Sequence, residues 1–386
     1  WTDKNNWTYD NTGMSSCNCT PGAGDSVWIG DRGVDNILIP DGYKAIINSI
    51  SILDSDKSLF IGAAGMDYAV LEVNAGLTTD WGIQNGGKII VRDSLIVSRA
   101  LLRGIFVTSF GELTVKPTGT ILIDDTDTEV GIYAAGPVSF EGDAVDKSQI
   151  ILKNLSRTGL ETYDTLVNNG IIRVSHLNTS NIAIRAVGVR VHNGMLTNET
   201  FGEIHIDSLN LPSLQCTGLD VSGASSLVIN RGNLQMTALP GNPILIDGKL
   251  INENIINIQT FSGTAVSING VFENSANLLI DNAVDLGLSV QTGIKLNISS
   301  FPTLINHPTG TIQILNLDAF DGIVNQGVIT NHGELVVENA GPRGLVQNVF
   351  DASFFSDGNV FFTASETPLQ VNINFEIADG STFVIE

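Results

Sequence analysis

Gly310-Thr-Ile312-Gln-Ile314 and Gly333-Glu-Leu335-Val-Val337 share one form: a glycine, then a short run in which polar and aliphatic residues alternate. The form recurs at Gly87-Lys-Ile89-Ile-Val91, Gly111-Glu-Leu113-Thr-Val115, Gly119-Thr-Ile121-Leu-Ile123, Gly170-Ile-Ile-Arg-Val174, Gly202-Glu-Ile204-His-Ile206 and Gly232-Asn-Leu234-Gln-Met236. Ala276-Asn-Leu278-Leu-Ile280 is a variant with alanine in the glycine slot. Alternation with period two in β-branched and aliphatic residues predicts a strand with one buried face.

A second form precedes the first in several copies. It reads Gly131-Ile-Tyr-Ala-Ala-Gly-Pro-Val-Ser-Phe140, Val266-Ser-Ile-Asn-Gly-Val-Phe272-Glu-Asn274 and Gly322-Ile-Val-Asn-Gln-Gly-Val-Ile329-Thr-Asn331. One unit is therefore a strand, an Asn-Gly turn, a short strand, an Asn turn, the Gly-x-Ile-x-Ile strand and a loop. The interval from Gly87 to Gly111, or from Gly310 to Gly333, sets a base period of about 20–25 residues, as in repeat architectures. Gly170, Gly202 and Gly232 stand further apart, which predicts loops inserted at a corner, as at 177–183 and 208–218.

A coil of three short strands cannot hide its aliphatic face alone, whereas stacked coils can. The expected fold is all-β: a right-handed parallel β-helix of about 14 coils, with three parallel sheets and inward Ile, Leu and Val in one column. Asn and Gly at corners are read as residues that tolerate left-handed backbone, and Asn at matching corners as able to hydrogen-bond along the axis. No window of a dozen residues keeps a helical period with caps at both ends. A β-sandwich would need closely spaced hairpin turns and would lack the self-similarity.

The first 75 residues differ. Trp1, Trp7 and Trp28 are three of the four tryptophans, and Pro21-Gly-Ala-Gly-Asp25-Ser-Val27-Trp-Ile29 leads into Ile37-Leu-Ile-Pro40-Asp-Gly42. Residues 1–75 are read as an N-terminal cap with the first coils, and 76–386 as the coils proper. A Trp-rich segment would cover the open apolar end and its unpaired strand edges. The chain opens at Trp1 and closes at Phe383-Val-Ile-Glu386, apparently mid-strand, so both ends are expected to be cut points of a longer precursor.

Composition narrows the function classes. Of 386 residues, 42% are hydrophobic, enough for a core and against disorder. Lys plus Arg is 19 against 41 Asp plus Glu, a formal charge of −22. That excess argues against nucleic acid or an anionic membrane as partner. It suits solubility outside a cell, protection against edge-to-edge aggregation, and Ca²⁺. No stretch approaches the ~20 apolar residues of a transmembrane helix. Cys17, Cys19 and Cys216 form no zinc pattern. A disulfide from Cys17 or Cys19 is open, and Cys216 is expected as a buried free thiol.

Trp7, the Pro21-x-x-x-Asp25-x-Val27-x-Ile29 stretch, the Pro40-Asp-Gly42 turn and the following coils resemble the N-terminal part of large secreted proteins of Bacteroidota. The later coils look like the pectin-lyase-like β-helix repeats of the same proteins. The resemblance covers nearly the whole chain but rests on structural turn motifs. It implies export to the cell surface, often by the type IX route. The group holds adhesins, gliding-associated surface proteins and polysaccharide-active enzymes.

The residues show little chemistry. A pectate-lyase-like site needs an Arg or Lys base beside acidic Ca²⁺ ligands, and a polygalacturonase-like site needs clustered Asp on neighbouring coils. No Gly-His-Gly, Asn-Thr-Asp or Arg-Ile-Lys occurs. Asp125, Asp127 and Glu129 alternate oxygen ligands and are the candidate Ca²⁺ site, although the remaining EF-hand ligands and central Gly are lacking. His176, His192, His205, His307 and His332 are read as facing solvent. Arg173, Arg185 and Arg190 are the densest basic group, read as structural. Six Asn-x-Ser/Thr sequons, at Asn6, Asn18, Asn154, Asn178, Asn198 and Asn297, are read as chance in an Asn- and Thr-rich β-helix. The Thr residues form no ice-binding ladder. The expected role is a secreted or cell-surface structural or adhesive module, meeting extracellular glycans, proteins or other copies of its assembly. The alternative is a lyase or hydrolase of an acidic polysaccharide.

Overall fold

The computed structural model describes residues 1–8, 17–30, 35–63, 68–77, 79–177, 185–209, 216–284, 292–297, 301–317, 320–347, 349, 351–364, 366–371 and 374–386. Most of the expected corner insertions at 177–183 and 208–218, and the sequon at Asn178, lie outside the described residues. The described chain is an all-β parallel β-helix of about 13 turns with three sheets and no α-helix. It divides into two compact units, Trp1–Ser180 with Phe201–Glu203, and Asn181–Thr200 with Ile204–Glu386.

In the first unit every third strand pairs in parallel with its counterpart one coil on. The first sheet runs Ser26–Ile29, Ser49–Ile52, Trp81–Asn85, Arg103–Val107, Val130–Ala134, Thr158–Thr162. Registers such as Ile105 with Ile83 and with Ile132 stack like on like. Alternation then sends Ile83, Ile105, Ile132 and Leu160 inward, where each is fully buried. Each such side chain contributes about 1.5–3 kcal/mol relative to leaving it in water. Gly104 and Gly131 occur here because the sheet meets its neighbour at very short range. A methyl on Gly131 would lie 2.7 Å from the Gly159 carbonyl and 2.8 Å from Leu155 Cδ1; one on Gly104 would lie 2.7 Å from the Gly131 carbonyl.

One reading of the repeat is corrected. The Gly87 and Gly111 copies form strands of the second sheet, Lys88–Val91 and Glu112–Val115, whereas the other copies lie in the third. Glycine followed by alternation marks a strand after a tight corner, and two of the three corners are of that kind. Trp28 lies on the first coil and faces outward at 62% exposure. Trp1 and Trp7 do sit together: the Trp1 ammonium donates to the Leu38 carbonyl at 2.8 Å, and Trp7 Nε1 donates to the Trp1 carbonyl at 3.0 Å. Their rings meet edge to face at 5.0 Å, beside the edge strand Asn36–Ile39.

In the second unit six successive second-sheet strands end in an inward asparagine. Asn198, Asn230, Asn252, Asn274, Asn306 and Asn331 are all buried and follow one another in register. Each Nδ2 donates to the next Oδ1 at 2.7–2.8 Å, and Asn331 ends the series on Ser356 Oγ at 3.0 Å. The second amide hydrogen goes to a main-chain carbonyl, as from Asn230 to Ile255 and from Asn306 to Glu334. The predicted axial hydrogen bonding is thus present. None of these asparagines has left-handed backbone; in this unit that conformation falls, among other places, at or just after the ends of third-sheet strands, on Ala238, Thr260, Asn282, Asn316 and Asn339. Asparagine is required here as a planar group with both donor and acceptor, in a place where either one left unmatched is expensive.

Replacing Asn252 with Ala strips Asn274 of its donor and Asn230 of one acceptor. The variant is expected to lose about 2–3 kcal/mol, read as a lower guanidinium midpoint. Asn277→Ala on the outer face is expected to stay within about 0.5 kcal/mol.

Candidate functional site

The outward side of the first sheet in the first unit holds a continuous strip of rings. Because the inward places go to Ile83, Ile105 and Ile132, the next residues, Gln84, Phe106 and Tyr133, share one outward row. Trp81 stands opposite Arg103 one coil on, and Tyr163 follows the strand Thr158–Thr162. The ring centroids step from Trp81 to Phe106 at 6.2 Å, to Tyr133 at 5.5 Å and to Tyr163 at 5.2 Å. All four side chains reach solvent, Tyr163 at 37%. Arg103 lies over this strip, its Cζ 4.6 Å from the Phe106 centroid and 4.1 Å from that of Tyr133. These distances allow cation–π attraction.

One end of the strip is polar. The Tyr163 hydroxyl donates to Glu161 Oε1 at 2.8 Å. Burial and the Glu161 carboxylate push the Tyr163 phenol above its usual pKa, so it stays protonated and does not serve as a base near neutral pH. Arg157 reaches Glu129 at 3.4 Å and Glu161 at 3.9 Å.

The three acids singled out in the sequence have separate surroundings. Asp125 is buried and accepts from the Arg99 N–H, from Thr128 Oγ1 at 2.7 Å and from the Asp127 N–H at 3.2 Å. It braces the corner after the strand Thr120–Asp124. Asp127 is exposed, and Glu129 faces Arg157. Among the described residues no three His, Cys, Asp or Glu converge as a metal group.

The histidines are also dispersed. His205 faces outward, with Nδ1 3.1 Å from Gln235 Oε1, and His332 Nδ1 is 2.7 Å from Asp357. His192 meets Ser222 at 3.2 Å, His307 lies 3.9 Å from Glu273, and His176 occupies a left-handed corner. Arg173 is exposed on a third-sheet strand, Arg185 donates to Thr217 and Arg190 pairs with Asp220 at 3.1 Å. Cys17 and Cys19 are joined in a disulfide. Cys216 is free and buried, and burial raises its pKa to about 12. In the second unit a shallow depression of about 450 Å³ on the third sheet is lined by Asn257, Asn277, Gln313 and Glu334 among others, with one acid and no base.

The ring strip was not legible in advance. Trp81, Phe106 and Tyr133 stand one coil apart in sequence, but only the coil register shows that Trp81 opposes Arg103 and Phe106 opposes Tyr133.

No known protein family matches the chain, and no curated protein is similar to it. A solved structure that is similar is a TibA fragment hyper-glycosylated by TibC, at 12% identity, covering 82% of this chain and 100% of that fragment, with a TM-score of 0.22. A likeness that slight carries no argument about function. No helix among the described residues is long and apolar enough to cross a membrane.

Two outcomes follow from these environments. Asp125→Ala frees three donors and is expected to destabilise the protein by about 1–3 kcal/mol in chelator-containing buffer; a loss confined to buffer with Ca²⁺ would assign the carboxylate to the ion. The Cys216 thiol is expected to resist a soluble thiol reagent at around pH 8 until denaturant is added, since its proton leaves only far above that pH.

Proposed function

We propose that the chain is a structural or adhesive module of a larger exported bacterial protein, working outside the cell. The observation that supports this best is the Asn198–Asn331 ladder. Buried polar groups here run from coil to coil and satisfy one another, so they stiffen the stack. The outer faces follow the same plan. Lys44 meets Glu72, Lys88 meets Glu112 and Lys116 meets Glu141, each bridging adjacent coils at 2.5–2.9 Å. The acidic balance suits display in water beside other copies. In this reading the chain belongs with surface proteins of the Bacteroidota type, and export by the type IX route is part of the proposal.

The reading is checked by incubating the full chain with acidic and neutral polysaccharides. Absorbance from unsaturated uronates, reducing-end release and retention on polysaccharide-coated surfaces are followed together. Retention without new ends is expected. Catalytic turnover of any of these polymers would replace the module with a lyase or hydrolase.

A further inference from the structure

The ring strip carries an inference that rests on this adhesive reading and specifies its ligand. We propose that Trp81, Phe106, Tyr133 and Tyr163, with Arg103, form a binding strip for an extended acidic polysaccharide, one whose sugar rings carry carboxylates.

Arg103 decides the chemistry. Several outward lysines of the first unit meet carboxylates one coil away: Lys88 with Glu112, Lys116 with Glu141, Lys153 with Asp124. Arg103 has no carboxylate and no side-chain hydrogen-bond acceptor among the described residues, and lies over two rings instead. The attraction to the rings uses the charge of the guanidinium and none of its five N–H donors. Those donors are left to a ligand, and a guanidinium can make a two-point contact with a carboxylate. A strongly acidic chain has thus kept a cation without a carboxylate at the centre of an aromatic surface.

The rings decide the shape. A pyranose has apolar C–H faces that stack on aromatic rings, and its polar edges need donors and acceptors. The strip offers rings at successive steps of 6.2, 5.5 and 5.2 Å, similar in scale to one sugar per coil. Its flanks hold hydrogen-bonding groups at Gln84 and Tyr163, with buried Glu161 behind the Tyr163 hydroxyl. An extended chain lying along the strip would place successive sugars on successive rings and one carboxylate at Arg103. Arg157 pairs with Glu129 and Glu161 at one end, so the cation left for a ligand carboxylate is Arg103.

The test is titration of the full chain with oligogalacturonate, a neutral gluco-oligosaccharide of equal length, and poly-glutamate, by calorimetry at low and high salt. Saturable binding to oligogalacturonate, weakened by salt, is expected, with little binding to the other two. Arg103→Gln is expected to weaken it roughly tenfold or more, as are Phe106→Ala and Tyr133→Ala. Arg103→Lys, which keeps the charge but not the two-point fork, should fall between. Arg92→Gln, removing another cation set over a ring, Phe60 at 5.7 Å, should bind as the parent does. Circular dichroism and melting establish that each variant is folded.

Absence of oligogalacturonate binding, unchanged affinity in folded Arg103→Gln, or preference for poly-glutamate overturns the strip. If Arg103→Gln still adheres to coated surfaces without turnover, the strip fails and the adhesive reading stands. If unsaturated products appear, the adhesive reading fails whatever Arg103 does.

Discussion

Parallel pairing between one coil and the next is the constraint on which the rest depends. It repeats every position of a coil beside its own counterpart, so a residue is chosen against its likeness above and below. Aliphatic side chains stack into dry columns such as Ile83, Ile105 and Ile132. A polar residue in an inward place must find its partner in the same column, because water does not reach it. Asparagine meets that demand by itself, donating to the next copy and accepting from the previous one.

The same repetition explains the outer faces. A lysine on one coil stands opposite a glutamate on the next, and aromatic residues placed one coil apart become a strip. Such surface ion pairs contribute little singly; their effect is to hold register along a face. The strip differs in kind, since it gathers large, partly exposed rings around a cation without a carboxylate. Inward positions are governed by packing and hydrogen-bond balance, outward ones by what meets the surface.

Asparagine serves two separate ends. At left-handed places such as Asn154, Asn193, Asn282, Asn316 and Asn339 it tolerates the backbone, as expected of corners, though Ala238 and Thr260 take the same conformation. In the buried ladder the backbone is that of a strand, and the amide serves as donor and acceptor. Asp125 was singled out by its spacing from Asp127 and Glu129; its carboxylate accepts three N–H and O–H donors at a corner.

The sequence by itself determined the fold class, the approximate coil length and which residues enter the core. Period-two alternation and a repeat of about 20–25 residues are local properties that solvent exclusion reads directly. It also indicated the buried state of Cys216, a cysteine without a metal pattern. Tertiary structure alone decided which sheet each glycine-led strand joins, which asparagines form the ladder, and that Trp81, Phe106, Tyr133, Tyr163 and Arg103 meet. Those outcomes depend on register between residues more than 20 positions apart. Corner loops of varying length alter that register without leaving a mark in the local pattern.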